Sequence, residues 1–164
     1  MNESLGSTQG SGITNPGADR YFAAERPAGT PAPDRPGSYL DYERDVRPVA
    51  FVQGLEFRPV VGEGMMVNFV RYEPHTVAPV HAHEEEQITF VIDGEFEFDL
   101  DGDVRTMRRG TAVVIPPWVP HGARTLDGPC FEVDVFRPPR EVLLDAMRAA
   151  DAEGTDGDAE RDAT

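Results

Sequence analysis

The stretch His81-Ala82-His83-Glu84-Glu85-Glu86-Gln87 places two of the chain's four histidines two positions apart. Residues two apart on a strand point to the same side. His81 and His83 are therefore expected to face one way, with Val80 and Ala82 facing the other. Gln87 keeps the parity of the histidines and opens the next apolar run. Further along, His121 follows Ile115-Pro116-Pro117-Trp118-Val119-Pro120. Each imidazole offers a neutral nitrogen donor, and three of them suit zinc, nickel, iron or copper. Three or four protein ligands with open positions make a catalytic arrangement, whereas a closed set is structural. Glu86 has the opposite parity and could join only through a bulge. Glu84 and Glu85 read as a solvated loop. His75, in Glu73-Pro74-His75-Thr76, reads as an exposed turn residue.

Short strands surround this stretch. Val49 to Val52, Glu56 to Val60 and Met65 to Tyr72 precede it. Glu86 to Val91 and Glu95 to Leu100 follow, and Asp93-Gly94 between them carries a hairpin signal. Phe96, Phe98 and Leu100 alternate with Glu95, Glu97 and Asp99, so one face is buried and the other wet. Asp101-Gly102 makes another tight turn. Thr111 to Ile115, Val119 to Thr125 and Phe131 to Phe136 complete the set. Many short strands with turns at such spacing indicate an all-β sandwich or barrel. One helix is expected at the end, with Pro138 and Pro139 in its first turn and Leu143, Leu144 and Met147 on one face.

The chain has 164 residues, which fits one domain. Residues 1–38 are rich in Gly, Pro, Ser, Thr and Ala and lack the apolar mass to offset ordering entropy, so disorder or loose docking is expected. Tyr21-Phe22 and Tyr39-Leu40 are the segments there that could dock. A barrel with its terminal helix is expected over 39–150, and a disordered acidic tail over 151–164.

The net charge is −15, and all 15 basic residues are Arg. Such a surface repels phosphate backbones and anionic lipid heads, which argues against nucleic-acid and membrane partners. A salt-adapted cytoplasm or a GC-rich genome would each account for the composition. Cys130 is the lone cysteine, so no internal disulfide can form. Its apolar surroundings suggest a buried, inert thiol. The N-terminus has no basic start followed by an apolar run, and no segment approaches the length of a membrane span, so a cytoplasmic protein is expected.

Two segments resemble the motifs of the cupin superfamily. The first runs from His81 to Gln87 with Gly94 following. The second is Gly110-Thr111-Ala112-Val113-Val114-Ile115-Pro116 and ends at His121. The resemblance implies a small double-stranded β-helix, the cupin jelly-roll barrel, with one short C-terminal helix; barrels of this size often protect a second face by dimerising, so a homodimer is expected. It also implies one divalent metal ion (Zn, Ni, Fe, Mn or Cu) held by His81, His83, Gln87 and His121. Most cupins place Glu where this chain has Gln87. A neutral amide leaves the site one negative charge fewer and the metal more Lewis-acidic.

His81 to Glu95, together with Asp134-Val135-Phe136-Arg137-Pro138-Pro139-Arg140-Glu141, is similar to a subset of small cupins. That subset includes enzymes that open the ring of 4,5-unsaturated uronates from pectin or alginate. On this resemblance Asp134 and Arg140 are the catalytic candidates: Asp134 to shuttle a proton and Arg140 to hold a substrate carboxylate. Their plain alternatives are an ordinary strand residue and a helix cap. Glu84-Glu85-Glu86 would make the mouth more negative than a uronate site prefers. Trp118 is either a stacking residue at the mouth or a rim residue, and Phe90, Phe96 and Phe98 suit a core or a dimer interface. A metal-dependent lyase or isomerase acting on a small oxygenated substrate, such as a sugar acid or a polyketide, is thus the leading expectation. A dioxygenase of enols or catechols is the second, and a non-catalytic ligand-binding barrel the third.

Overall fold

The computed structural model describes residues 18–21, 23, 26–31 and 36–159. The chain divides after Ser38 into two units. Before the division lies the four-residue helix α1 (Ala18–Tyr21), while Phe22 falls outside the described residues. From Tyr39 onward the order is α2 (Tyr42–Asp45), β1 (Val49–Val52), β2 (Leu55–Val61), β3 (Met66–Tyr72), β4 (Val77–His81), β5 (Glu86–Leu100), β6 (Asp103–Arg108), β7 (Ala112–Ile115), β8 (His121–Arg124), β9 (Cys130–Arg137) and α3 (Glu141–Ala159).

All strand pairs are antiparallel, and β5 joins two sheets. Its first half lies between β9 and β7, in the sheet β1-β2-β3-β9-β5-β7. Its second half lies between β6 and β8, with β4 beyond β8. The result is the nearly closed all-β barrel with a C-terminal helix that the alternating strands imply.

The hairpin expected at Asp93-Gly94 is absent, because the strand runs straight through it. A two-residue turn of that type needs positive φ at both residues. Here only Gly94 has it (φ 75°), and the register slips between Val91 and Asp93 as a bulge. A Cβ on Gly94 would meet the Pro129 carbonyl oxygen at 2.2 Å, so only glycine fits where β5 passes from one sheet to the other. Asp101 (φ 52°) and Gly102 (φ 85°) do satisfy the turn, and they connect β5 to β6. Strand β6 escapes a pattern search because it is a wet edge strand whose one buried residue is Met107.

The core follows the alternation. Leu55, Val70, Tyr72, Val91, Phe96, Phe98 and Ile115 are buried together. Full burial of a side chain such as Phe96 is worth about 1.5–3 kcal/mol. Phe90 differs: it is largely exposed on the outer face. Cys130 is buried, and burial pushes its thiol up to about 12, which keeps it protonated and inert.

The helix starts at Glu141 and not at the prolines. A residue before proline is kept out of the helical region, so Pro138 cannot begin it. Arg140 instead accepts the first helical bonds, from the Leu143 and Leu144 amides. Leu143 then packs with Val49, Met66 and Phe136. The helix continues past residue 150 to Ala159, so the expected tail begins as helix; residues 160–164 fall outside the described residues. At the other end Tyr39 is fully exposed and Leu40 nearly half so. The aromatic ring that docks there is Tyr42, stacked on Phe69 at 4.0 Å. Among the described residues no helix is long and apolar enough to cross a membrane.

Candidate metal centre

His81 ends β4 and His121 begins β8, and the two are direct register partners. His83 lies just beyond β4, where the Trp118 amide donates to its carbonyl at 2.7 Å. The ring centroids are 4.5 Å (His81–His121), 4.9 Å (His83–His121) and 5.6 Å (His81–His83) apart. One ring nitrogen from each lies within 4.8 Å of the others.

Backbone carbonyls fix the tautomers of His81 and His121. His81 Nδ1 donates to Pro79 O at 2.9 Å and His121 Nδ1 to Val119 O at 2.8 Å, and His83 Nδ1 lies 3.1 Å from Glu85 O. A carbonyl can only accept, so in His81 and His121 Nδ1 carries the proton and Nε2 keeps its lone pair, while His83 faces an acceptor at both nitrogens. His121 Nε2 is buried, without a protein hydrogen-bond partner among the described residues. Burial lowers the pKa of all three rings, that of His121 to about 4. Neutral imidazole is the form that binds a metal.

Gln87 joins them. Its Oε1 lies 3.0 Å from His83 Nε2. Its Nε2 donates to Asp134 Oδ1 and to Thr89 Oγ1, both at 2.8 Å. Thr89 Oγ1 in turn donates to the same Asp134 oxygen. These bonds leave the Gln87 amide one orientation, carbonyl toward the histidines. The donor set suits a divalent cation: three imidazole nitrogens and one amide oxygen.

Asp134 is buried, and burial raises its carboxyl to about 6 against the lowering effects of Thr89, Gln87 and Arg140. Arg140 lines the same cavity, with its guanidinium 5.7 Å from the Phe136 ring centroid. The cavity measures about 250 Å³. Its wall is mainly apolar, with Phe51, Leu55, Phe57 and Phe98 facing His81, Gln87 and His121.

The expectation for Glu85 is overturned. It is buried, and its Oε2 lies 3.1 Å from His83 Nδ1, so it orients a ring of the cluster. Glu84 and Glu86 are exposed. The signal was available: His83, Glu85 and Gln87 continue the period of two. Asn68, Tyr72 and Glu132 are also buried along the cavity and were not singled out from the sequence. Asn68 and Tyr72 alternate with Val70 on β3, and Glu132 stands between Cys130 and Asp134 on β9. Trp118 is 66% exposed and does not line the cavity. His75 is exposed in its turn, 3.7 Å from Asp127.

Comparison with known proteins gives a consistent picture. Residues 68–136 match the family model described as a cupin domain. Gentisate 1,2 dioxygenase 1 from Aquipseudomonas alcaligenes is 35% identical over 78 residues, which are 46% of this chain and 22% of that enzyme. The chain thus spans about a fifth of the length of that curated relative. An RmlC-like cupin from Shewanella frigidimarina NCIMB 400 shares the fold at TM-score 0.60, with 24% identity over 65% of this chain and 96% of that one. KdgF from Halomonas sp. has TM-score 0.59 and 31% identity, covering 66% of this chain and 99% of that one. With a relative of that identity matched almost end to end, and the strand register bringing both histidine motifs together, the chain belongs to the cupin superfamily.

Proposed function

We propose that this cupin is a metal-dependent enzyme that transforms a small carboxylate-bearing substrate without redox change, with ring opening of a 4,5-unsaturated uronate as the sharpest form. One observation carries the proposal: Asp134 and Arg140 line the same cavity as His81, Gln87 and His121. His81, His83, Gln87 and His121 are the residues that would hold the metal. A divalent ion bound there supplies Lewis acidity, and with a neutral donor set it keeps more of its charge.

The chain's own groups divide the remaining work. Arg140 stays charged and presents a fork that matches a carboxylate. Asp134 takes Gln87 and Thr89 on Oδ1, so Oδ2 is the atom for a substrate proton. A carboxyl near pH 6 can both accept and return that proton at neutral pH. The apolar wall excludes water from the exchange. Glu85 is turned inward onto His83, and its charge acts on Arg140. The resemblance of residues 81–95 and 134–141 to ring-opening cupins points the same way.

Incubating the zinc- or nickel-loaded protein with an unsaturated uronate tests this. Loss of ultraviolet absorbance well above the spontaneous rate is expected, and a rate no faster than the spontaneous one rejects the ring-opening form. A second reading rests on the identity to the gentisate dioxygenase. It predicts oxygen uptake by the iron-loaded protein on a dihydroxybenzoate, with none on the uronate.

A further inference from the structure

Within the cavity, Asn68, Glu132 and Asp134 place polar atoms where a barrel core would ordinarily hold valine or leucine. Asn68 on β3 is the register partner of Asp134 on β9, and Asp134 is the partner of Thr89 on β5. A polar strip therefore crosses three neighbouring strands on their buried face. Asp134 and Thr89 are accounted for, since they hold the Gln87 amide. Asn68 and Glu132 are not. Asn68 is 1% exposed, and among the described residues neither its Nδ2 nor its Oδ1 has a protein partner. Glu132 is 3% exposed; Tyr72 hydrogen-bonds its carboxyl, yet among the described residues Oε2 has no protein partner. Both side chains line the cavity that holds His81, His121 and Arg140.

Buried polar atoms without partners oppose folding and are rare in native proteins. Two such residues facing one cavity, each isosteric with an apolar residue that would avoid the penalty, point to a ligand that pairs with them.

We infer that Asn68 and Glu132 form a hydroxyl-recognition subsite beside the metal centre, selecting a polyhydroxylated acid whose carboxylate lies at Arg140. The inference rests on the proposed carboxylate-bearing substrate and adds the chemistry of its remaining groups. Asn68 offers one donor and one acceptor, which match a hydroxyl acting as acceptor and donor. Burial and the Asp134 charge push the Glu132 carboxyl well above the usual range, so it meets a hydroxyl as a neutral group and does not repel an anionic ligand. The phenylalanine wall suits the C–H face of a sugar ring.

Titration calorimetry on the zinc-loaded full chain tests this with two pairs of acids. D-galacturonate and cyclohexanecarboxylate share a six-membered ring and differ in hydroxyls, and gentisate and benzoate do the same on an aromatic ring. The unmodified chain is expected to prefer the hydroxylated member of one pair by about tenfold or more, as sites built to pair a hydroxyl do. Asn68→Leu and Glu132→Met should each erase most of that preference. They should leave binding of the hydroxyl-free acid and the zinc content unchanged, with a Tm at or above that of the unmodified chain. Asn68→Ala removes the same atoms if the larger replacements do not fold.

No preference in either pair overturns the inference, and so does a preference that survives both variants, because it would then come from the metal. A preference confined to gentisate, lost in the variants, keeps the subsite and rejects the uronate. A galacturonate preference without turnover of the unsaturated uronate keeps the subsite and rejects the ring-opening reaction.

Discussion

Gln87 Nε2 lies 2.8 Å from Asp134 Oδ1, and this contact decides which atom of Gln87 faces the histidines. An amide is nearly symmetric in shape, so its orientation comes from its partners. An ionised carboxylate can only accept, so it pins the NH₂ end and aims the oxygen at His83 Nε2, 3.0 Å away.

Replacing Asp134 by Leu should therefore weaken metal binding although Asp134 is not among the four proposed ligands. The Gln87 amide loses an acceptor and is free to turn. Loss of such an orienting partner lowers metal affinity by about 10–100-fold. Competition with a chromophoric chelator measures it. An affinity equal to that of the unmodified chain would mean that Thr89 alone orients the amide.

Arg140→Met tests the anion site. A hydrogen-bonded ion pair is worth about 1.5–3 kcal/mol, so KM for a uronate should rise by about 10–100-fold. Because the carboxylate is held alike in ground and transition states, kcat should change little. Arg140→Lys should restore only part of the affinity, since an ammonium cannot grip both oxygens. A fall in kcat at unchanged KM would assign Arg140 to the reacting atoms instead.

Much of this centre was legible in the sequence, because parity carries it. His81, His83 and Gln87 share one phase, and the pairing of His81 with His121 brings in the second motif. The same phase passes through Glu85, which the run of three glutamates disguised as a charged loop. The fold was legible wherever turn chemistry was complete, as at Asp101-Gly102, and misread at Asp93-Gly94. There the dipeptide is the same kind, and only the backbone of Asp93 separates a bulge from a turn. Asn68 and Glu132 were hidden for a different reason. A polar residue in a strand reads as outward-facing, although Asn68 shares the buried phase of Val70 on β3 and Glu132 that of Cys130 on β9.

The metal-free protein should show His121 in its acid stability. Burial holds the folded pKa at about 4 against an ordinary 6.5, so the fold refuses a proton that the unfolded chain accepts. That contribution is complete above pH 6.5 and is lost as pH falls toward 4. Asp134 acts with the opposite sign. Its pKa is raised from 3.8 to about 6, so its contribution is full below 3.8 and is lost as pH rises through 6. Comparing Tm profiles of the unmodified chain and His121→Gln isolates the histidine, because Asp134 is common to both. The unmodified chain should lose more stability between pH 6.5 and 4. Parallel profiles would show that His121 titrates normally.

Gly122 couples the fold to the site. It follows His121 on β8, and a Cβ there would meet Ala78 O at 2.9 Å, Val80 N at 3.0 Å and Val80 Cα at 3.1 Å. All three are backbone atoms of β4, the strand that ends at His81, so they cannot step aside alone. Gly122→Ala should push β4 away and separate His81 from His121. Overpacking of this kind costs about 1–3 kcal/mol, and metal affinity should fall with it. Gly102→Ala is the control. Its φ of 85° strains an alanine, but a Cβ there meets nothing within 4 Å and the turn lies outside the cluster. It should lower Tm while leaving zinc affinity intact. If both variants lose zinc in proportion to their stability, the effect is general loosening, and close approach of β4 to β8 is not what positions the histidines.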